Sequence, residues 1–185
     1  MSLNIDAIEK ELSSMEKPKI NTSNSKRTEN FWRPLPGEST VRFVPYKHNK
    51  DLGCRKIFFH YNIIDKPIIS PDNFKEKNPI TKLVEKLRSN QDYVNAKKME
   101  AKTRYFWPVY VRGDEEKGIR MWGVGIEMSR QIFEFMRDED IGDFTDVKAG
   151  RDFKLTTVGP EVTGTRYNKT TIMPKMKVSS LSDDV

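Results

Sequence analysis

The chain has 185 residues, enough for one ordinary domain with an insertion or a tail and a core that needs no staples. Lys and Arg number 33 against 27 Asp and Glu, and the resulting +6 favours an anionic partner, without the extreme bias of a histone. A single cysteine, Cys54, rules out an internal disulfide framework, the acidic start MSLNIDAIEKELSSMEK is no signal peptide, and no apolar run approaches a membrane span.

Leu3, Ala7, Ile8, Leu12 and Met15 fall at helical spacing and form a narrow stripe ended by Pro18, which either packs on its own domain or docks on a partner. The polar stretch up to residue 30 reads as a linker, so the spacing predicts an N-terminal helix and linker over 1–30, a core over 31–178 and a short tail over 179–185. STVRFVPY (39–46) and RKIFFHYNII (55–64) alternate as strands, the second with Ile57, Phe59, Tyr61 and Ile63 on one face, expected to begin the core. Asn78 and Pro79 open a helix through ITKLVEKLRSN and Asp92 caps a second, giving an inserted helical subdomain over 65–101. TRYFWPVYVR (103–112) and IRMWGV (119–124) form a hairpin around GDEEKG, and Ser129 is expected to cap a helix whose Ile132, Phe135 and Met136 face inward. A last strand pair, 151–158 and 170–178, surrounds GPEVTGTRYNK. This is a mainly β chain with helical insertions, and about five short strands suit a small barrel better than a parallel βαβ fold.

Signals for catalysis are thin. His48, Cys54 and His60 lack the fourth ligand of a structural zinc, and DEDIGDFTD (138–146) fits no calcium loop and reads as solvated surface. The chain contains no GxxxxGK[ST], GxSxG or HExxH. No enzyme, cofactor or metal is expected.

The informative stretch is KTRYFWPVYVR, where aromatics alternate with cations. Bases of a single strand expose flat π-faces, so a protein that holds them without reading sequence needs aromatic platforms beside cations for the phosphates. Arg104, Phe106, Tyr110 and Arg112 share one face of the strand, while Tyr105, Trp107, Val109 and Val111 share the other, which looks like core. Pro108 implies an edge or a bulge that would shift this phase, so Tyr105 and Phe106 both stand as candidates together with Lys102. The facing strand adds Arg120 and Trp122, and the last hairpin adds Arg166, Tyr167 and Lys169. From 148 to 177 seven cations face two acids, so much of the excess charge is local. Aromatics at strand spacing are more often core; their recurrence beside cations on separate strands argues for a binding face.

STVRFVPYK, KTRYFWPVYV, EKGIRMWGVGIEMSRQIFEFM and RDFKLTTV followed by TGTRYNK resemble, in this order, the single-stranded DNA-binding, helix-destabilising proteins of T-even-type phages, over about residues 31–178. The resemblance implies an OB-fold, a five-stranded Greek-key barrel, whose cleft binds single-stranded DNA with stacking residues at Tyr105, Phe106, Trp122 and Tyr167 and cations at Lys102, Arg104 and Arg166. It also implies work in phage DNA replication, recombination and repair in the host cytoplasm, with neighbouring protomers and phage replication proteins as partners. The chain departs from the family in three places. Asn78, Pro79, Ile80 and Thr81 stand where a Cys-Pro-x-Cys zinc pair is expected, leaving Ile68, Ile69 and Phe74 to hold the insertion; SLNIDAIEK stands where a basic N-terminal arm is expected; and SLSDDV stands where a long acidic tail is expected, which is either nearly absent or removed. The competing expectations are an OB-like virion structural or assembly module whose basic face contacts protein, and an RNA-binding translational regulator.

Overall fold

In the computed structural model, which describes residues 29–181, the chain runs β1 (Phe31–Trp32), β2 (Gly37–Phe43), β3 (Arg55–His60), β4 (Ile68–Ile69), α1 (Pro79–Ser89), α2 (Tyr93–Met99), β5 (Lys102–Val111), β6 (Ile119–Val124), α3 (Ile126–Arg137), β7 (Arg151–Val158), α4 (Pro160–Thr163) and β8 (Lys169–Val178). The chain divides into two units, 1–30 and 31–185. The stripe from Leu3 to Met15 lies outside the described residues. The second unit is mainly β, with one mixed, open eight-stranded sheet and four helices among the described residues. None of these helices is long and apolar enough to cross a membrane.

The strand path is β1-β6-β5-β2-β7-β8, with β3 and β4 branching from β5. The β1–β6 pair is parallel and the other pairs are antiparallel. Strand β5 is the centre: β6 lies along one edge, while β3 takes residues 102–106 and β2 takes 109–111 on the other. Pro108 falls where the neighbour changes from β3 to β2, so its missing N–H breaks no ladder on that edge, and its carbonyl accepts from Val44 N at 3.1 Å. The β5–β6 register therefore runs unbroken through it and no bulge shifts the phase. The irregularity falls instead in β7, between Arg151 and Phe153.

Alternation then sorts the side chains. Val41, Phe43, Trp107, Val109, Val111, Trp122, Val124, Phe153, Leu155 and Ile172 point to one side and form the core, which α3 covers with Ile132. Phe144 completes it with its ring 4.8 Å from that of Phe153, so the acidic loop after α3 is not wholly solvated surface. Helix α3 begins earlier than its sequence suggests, with Gly125 as N-cap. Ser129 is buried inside it, 3.5 Å from Trp107 Nε1, so its hydroxyl serves a core indole instead of a helix end. Phe133 packs on Tyr105 and Trp107, whereas Met136 is 37% exposed, so the inward stripe runs through Phe133 and not Met136.

The helical insertion is held differently from expectation. Ile69 and Phe74 are exposed, and Ile68 is only partly buried. The join is polar. His60, buried at the end of β3, places Nδ1 2.8 Å from the Met99 carbonyl and Nε2 2.9 Å from Asn78 Nδ2. Asn78 Oδ1 already accepts from Ile80 N and Thr81 N as the cap of α1, which fixes the amide's orientation and leaves the proton on His60 Nδ1. Ser70 Oγ and Asp72 Oδ2 also lie 3.0 and 2.8 Å from Asn78 Nδ2, and the bonds Asp72 accepts from Asn78 and then Ser70 hold its carboxyl below its usual range. Residues from β3, the turn before α1, the α1 cap and the end of α2 thus meet in one network. Asn78→Ala removes both the helix cap and the partner of a buried imidazole, and is expected to lower stability by about 1–3 kcal/mol, read as a lower urea midpoint at unchanged slope.

Candidate nucleic-acid interface

The face of the sheet turned away from the core carries the candidate site. Antiparallel pairing places Arg55 opposite Phe106, Ile57 opposite Arg104 and Phe59 opposite Lys102, and directly opposed residues project to the same side. Phe106 faces Gly123 across the other edge, where a Cβ would stand 2.8 Å from its ring, so glycine lets the ring lie against β6. Phe31, brought alongside by the β1–β6 pair and 52% exposed, meets Phe106 edge to face with centroids 5.9 Å apart. Phe59 lies 6.1 Å from Phe106 and 6.2 Å from Tyr61, whose hydroxyl accepts from Arg104 Nε at 3.4 Å. The result is a continuous surface of partly exposed rings, with Arg55 paired opposite Phe106, Lys102 paired opposite Phe59 and Arg104 bonded to Tyr61.

Of the residues singled out from sequence, Lys102, Arg104 and Phe106 meet on this face, and Tyr110 lies further along it with Arg112 5.7 Å from its ring centroid. Lys102 also donates to the Lys97 carbonyl at 3.2 Å. Tyr105 points the other way, edge to face with Phe133 between the sheet and α3. Trp122 is 3% exposed, opposite Trp107 in the core and 5.7 Å from Trp32, and presents no stacking face. Arg120 is buried 2.7 Å from Asp114, which holds no position open for a phosphate. Lys117, then Arg120, holds the Asp114 carboxyl below its usual range. Arg112 donates to Asp152 through Nε and Nη2, both at 3.1 Å, and to the carbonyls of Ser180 and Leu181. It shares Asp152 with Arg42, a fully buried arginine whose guanidinium pKa is lowered by burial against the pull of Asp152. Arg166 and Tyr167 are exposed on the connection between β7 and β8 and Lys169 is exposed at the start of β8, with β2 and β7 between them and β5 in the strand order.

Sequence reasoning missed Phe31, Arg55, Phe59 and Tyr61. The period-2 pattern of β3 was legible, but its apolar row is not core: β3 joins only the first half of β5, beyond the edge of the packed layer, so Phe59 and Tyr61 line the outer face while His60 turns to the insertion. Glycine at position 123, in a strand opposite an aromatic, was the usable sign of close approach to Phe106.

No protein-family model matches the chain, and no curated protein matches it significantly.

The placement of Trp122 separates it from the outer rings. Trp122→Ala is expected to cost about 3–5 kcal/mol of stability, measured by urea or thermal unfolding, because it empties a core position.

Proposed function

We propose that this is a non-catalytic, sequence-nonspecific single-stranded DNA-binding protein that coats exposed strands. One observation carries the reading: Phe31, Phe106, Phe59 and Tyr61 adjoin one another on the outer face, flanked by Arg55, Lys102 and Arg104. Aromatic faces accept any base, and cations beside them serve the backbone, so the surface suits a single strand better than base-edge readout of a duplex.

The strand order supports an OB-type scaffold for this role. Taking β2, β5, β6, β7 and β8 as first to fifth, the path runs third-second-first-fourth-fifth, with α3 between the third and fourth strands. That is the order of a Greek-key OB barrel left open between its third and fifth strands. OB proteins bind oligonucleotides on the second and third strands and on the first–second and fourth–fifth connections. Lys102, Arg104 and Phe106 lie on the second strand, Phe59 and Tyr61 in the first–second connection, and Arg166 and Tyr167 in the fourth–fifth connection. The resemblance to T-even-type phage proteins adds the setting: phage replication, recombination and repair in the host cytoplasm, with replication proteins and neighbouring protomers as partners.

Anisotropy of a labelled oligodeoxynucleotide tests this directly. Saturable binding to the single strand, weaker binding to the same sequence as duplex, and no tighter binding to the matching RNA are expected. Arg104→Ala should flatten the plot of log affinity against log salt by roughly 0.7 for each phosphate no longer neutralised. Phe106→Ala should cost about 1–3 kcal/mol of binding with the slope unchanged, since a base leaving a ring releases no counterion. Absence of saturable binding would overturn the reading and leave the face as a protein-contact surface; tighter binding to RNA would turn it toward an RNA regulator.

A further inference from the structure

The strand path ends at β8, and the outer edge of β8 has no neighbour. Among the described residues this strand pairs only with β7, and no other backbone–backbone hydrogen bond reaches residues 169–178. Natural sheets blunt such edges with short strands, prolines, lysines and bulges. At ten residues β8 is not short. Pro174 and the break in register beyond it, where the pair after Phe153–Pro174 is Arg151–Val178, blunt the second half. Residues 169–173 keep regular pairing to β7 and present their unpaired N–H and C=O groups on the other side.

Up to the last described residue the chain does not cover this edge itself. After β8, Ser179 N and Leu181 N donate to the Gly150 and Val147 carbonyls, while Arg42 and Arg112 hold the carbonyls of Ser179, Ser180 and Leu181. Residues 179–181 are thus drawn toward the start of β7. Charge then selects the occupant. Lys169, Lys175 and Lys177 are exposed, and none of them forms an ion pair among the described residues. A second copy of β8 is a poor match: a two-fold pairing centred on Ile172 sets Lys169 opposite Lys175 twice, and one centred on Met173 sets it opposite Lys177. Like charges directly opposite destabilise a strand pair, and an acidic strand reverses the sign. By alternation Lys169, Thr171 and Met173 project to one side while Ile172 enters the core, and Met173 is 68% exposed. A fitting strand carries a carboxylate facing Lys169 and an apolar residue facing Met173.

We propose that the free edge of β8, over residues 169–173, takes an extended acidic segment of a partner protein as an added strand. The interaction needs no nucleic acid, and β2 and β7 separate this edge from β5 in the strand order, so it stands or falls apart from the single-strand reading.

The experiment titrates full-length protein into a fluorescein-labelled synthetic peptide in which Asp and Glu alternate with Val, and into two forms of it N-methylated on the odd or on the even residues. Anisotropy should rise to saturation with the parent peptide. An added strand uses the N–H groups of every second residue, so one methylated form should lose binding and the other keep it. Backbone hydrogen exchange should slow within residues 169–173 when the parent peptide binds. Lys169→Glu with Lys175→Glu should weaken binding by roughly fivefold or more, with an unfolding midpoint near that of wild type. No saturable binding of the parent peptide, or protection confined to other elements, would overturn the proposal. Equal binding by all three peptides, with displacement by a single-stranded oligodeoxynucleotide, would mark the edge as a general polyanion surface and likewise overturn strand addition.

Discussion

Strand β5 is the constraint on which the rest depends. A strand has two edges and two faces, and β5 uses all four for different purposes. One edge is given to β6, and the other is divided between β3 and β2 at Pro108. One face carries Trp107, Val109 and Val111 into the core, and the other carries Arg104, Phe106 and Tyr110 outward. Because side chains alternate strictly, a slip of one residue would exchange the two rows and bury arginine in place of tryptophan. Core packing therefore fixes the binding face: the free energy that buries Trp107 also holds Phe106 outward.

Net charge is a poor map of where this protein holds an anion. Arg42, Arg112, Arg120 and Arg151 are all engaged internally, the first two around Asp152, the third by Asp114 and the last on the carbonyls of Asp140, Ile141 and Met176. Lys154 pairs with Glu38 at 2.6 Å on an exposed surface, where such a pair contributes little. Of the cations that make the stretch from 148 to 177 basic, Arg151 and Lys154 are thus engaged within the protein, while Arg42 and Arg112 hold the Ser179–Leu181 segment. Arg55 and Arg104 instead stand on the aromatic face, outside that basic stretch.

Much of the fold was legible because local chemistry decides it. Asn78 before Pro79 starts α1 where expected, Asp92 caps α2 through Asn95 N, and the alternation of 102–112 sorted core from surface correctly. The errors came where tertiary pairing decides. Nothing local distinguishes Trp122 as core from Trp122 as platform; its position opposite Trp107 does. Ser129 had the right chemistry for a cap, but a helix already formed from Ile126 places it under an indole. Phe144 was hidden in an acidic loop, and the apolar row of β3 reads as core because apolar residues usually are. In each case the sequence showed that a side chain sits on a face, while the partner of that face is set by residues far away in the chain.

Phe59 and Lys102 are direct neighbours across the β3–β5 ladder, so the chain leaves the sheet and returns to it at nearly the same point. In between lie β4, α1 and α2. Topologically the whole helical excursion is the decorated tip of a hairpin. Its length can change without rethreading any other strand, and closing a longer or shorter loop between fixed ends alters the entropy only slowly with length. The excursion is therefore a module that descent could enlarge, refit or trim to a plain turn, leaving β3 beside β5 throughout.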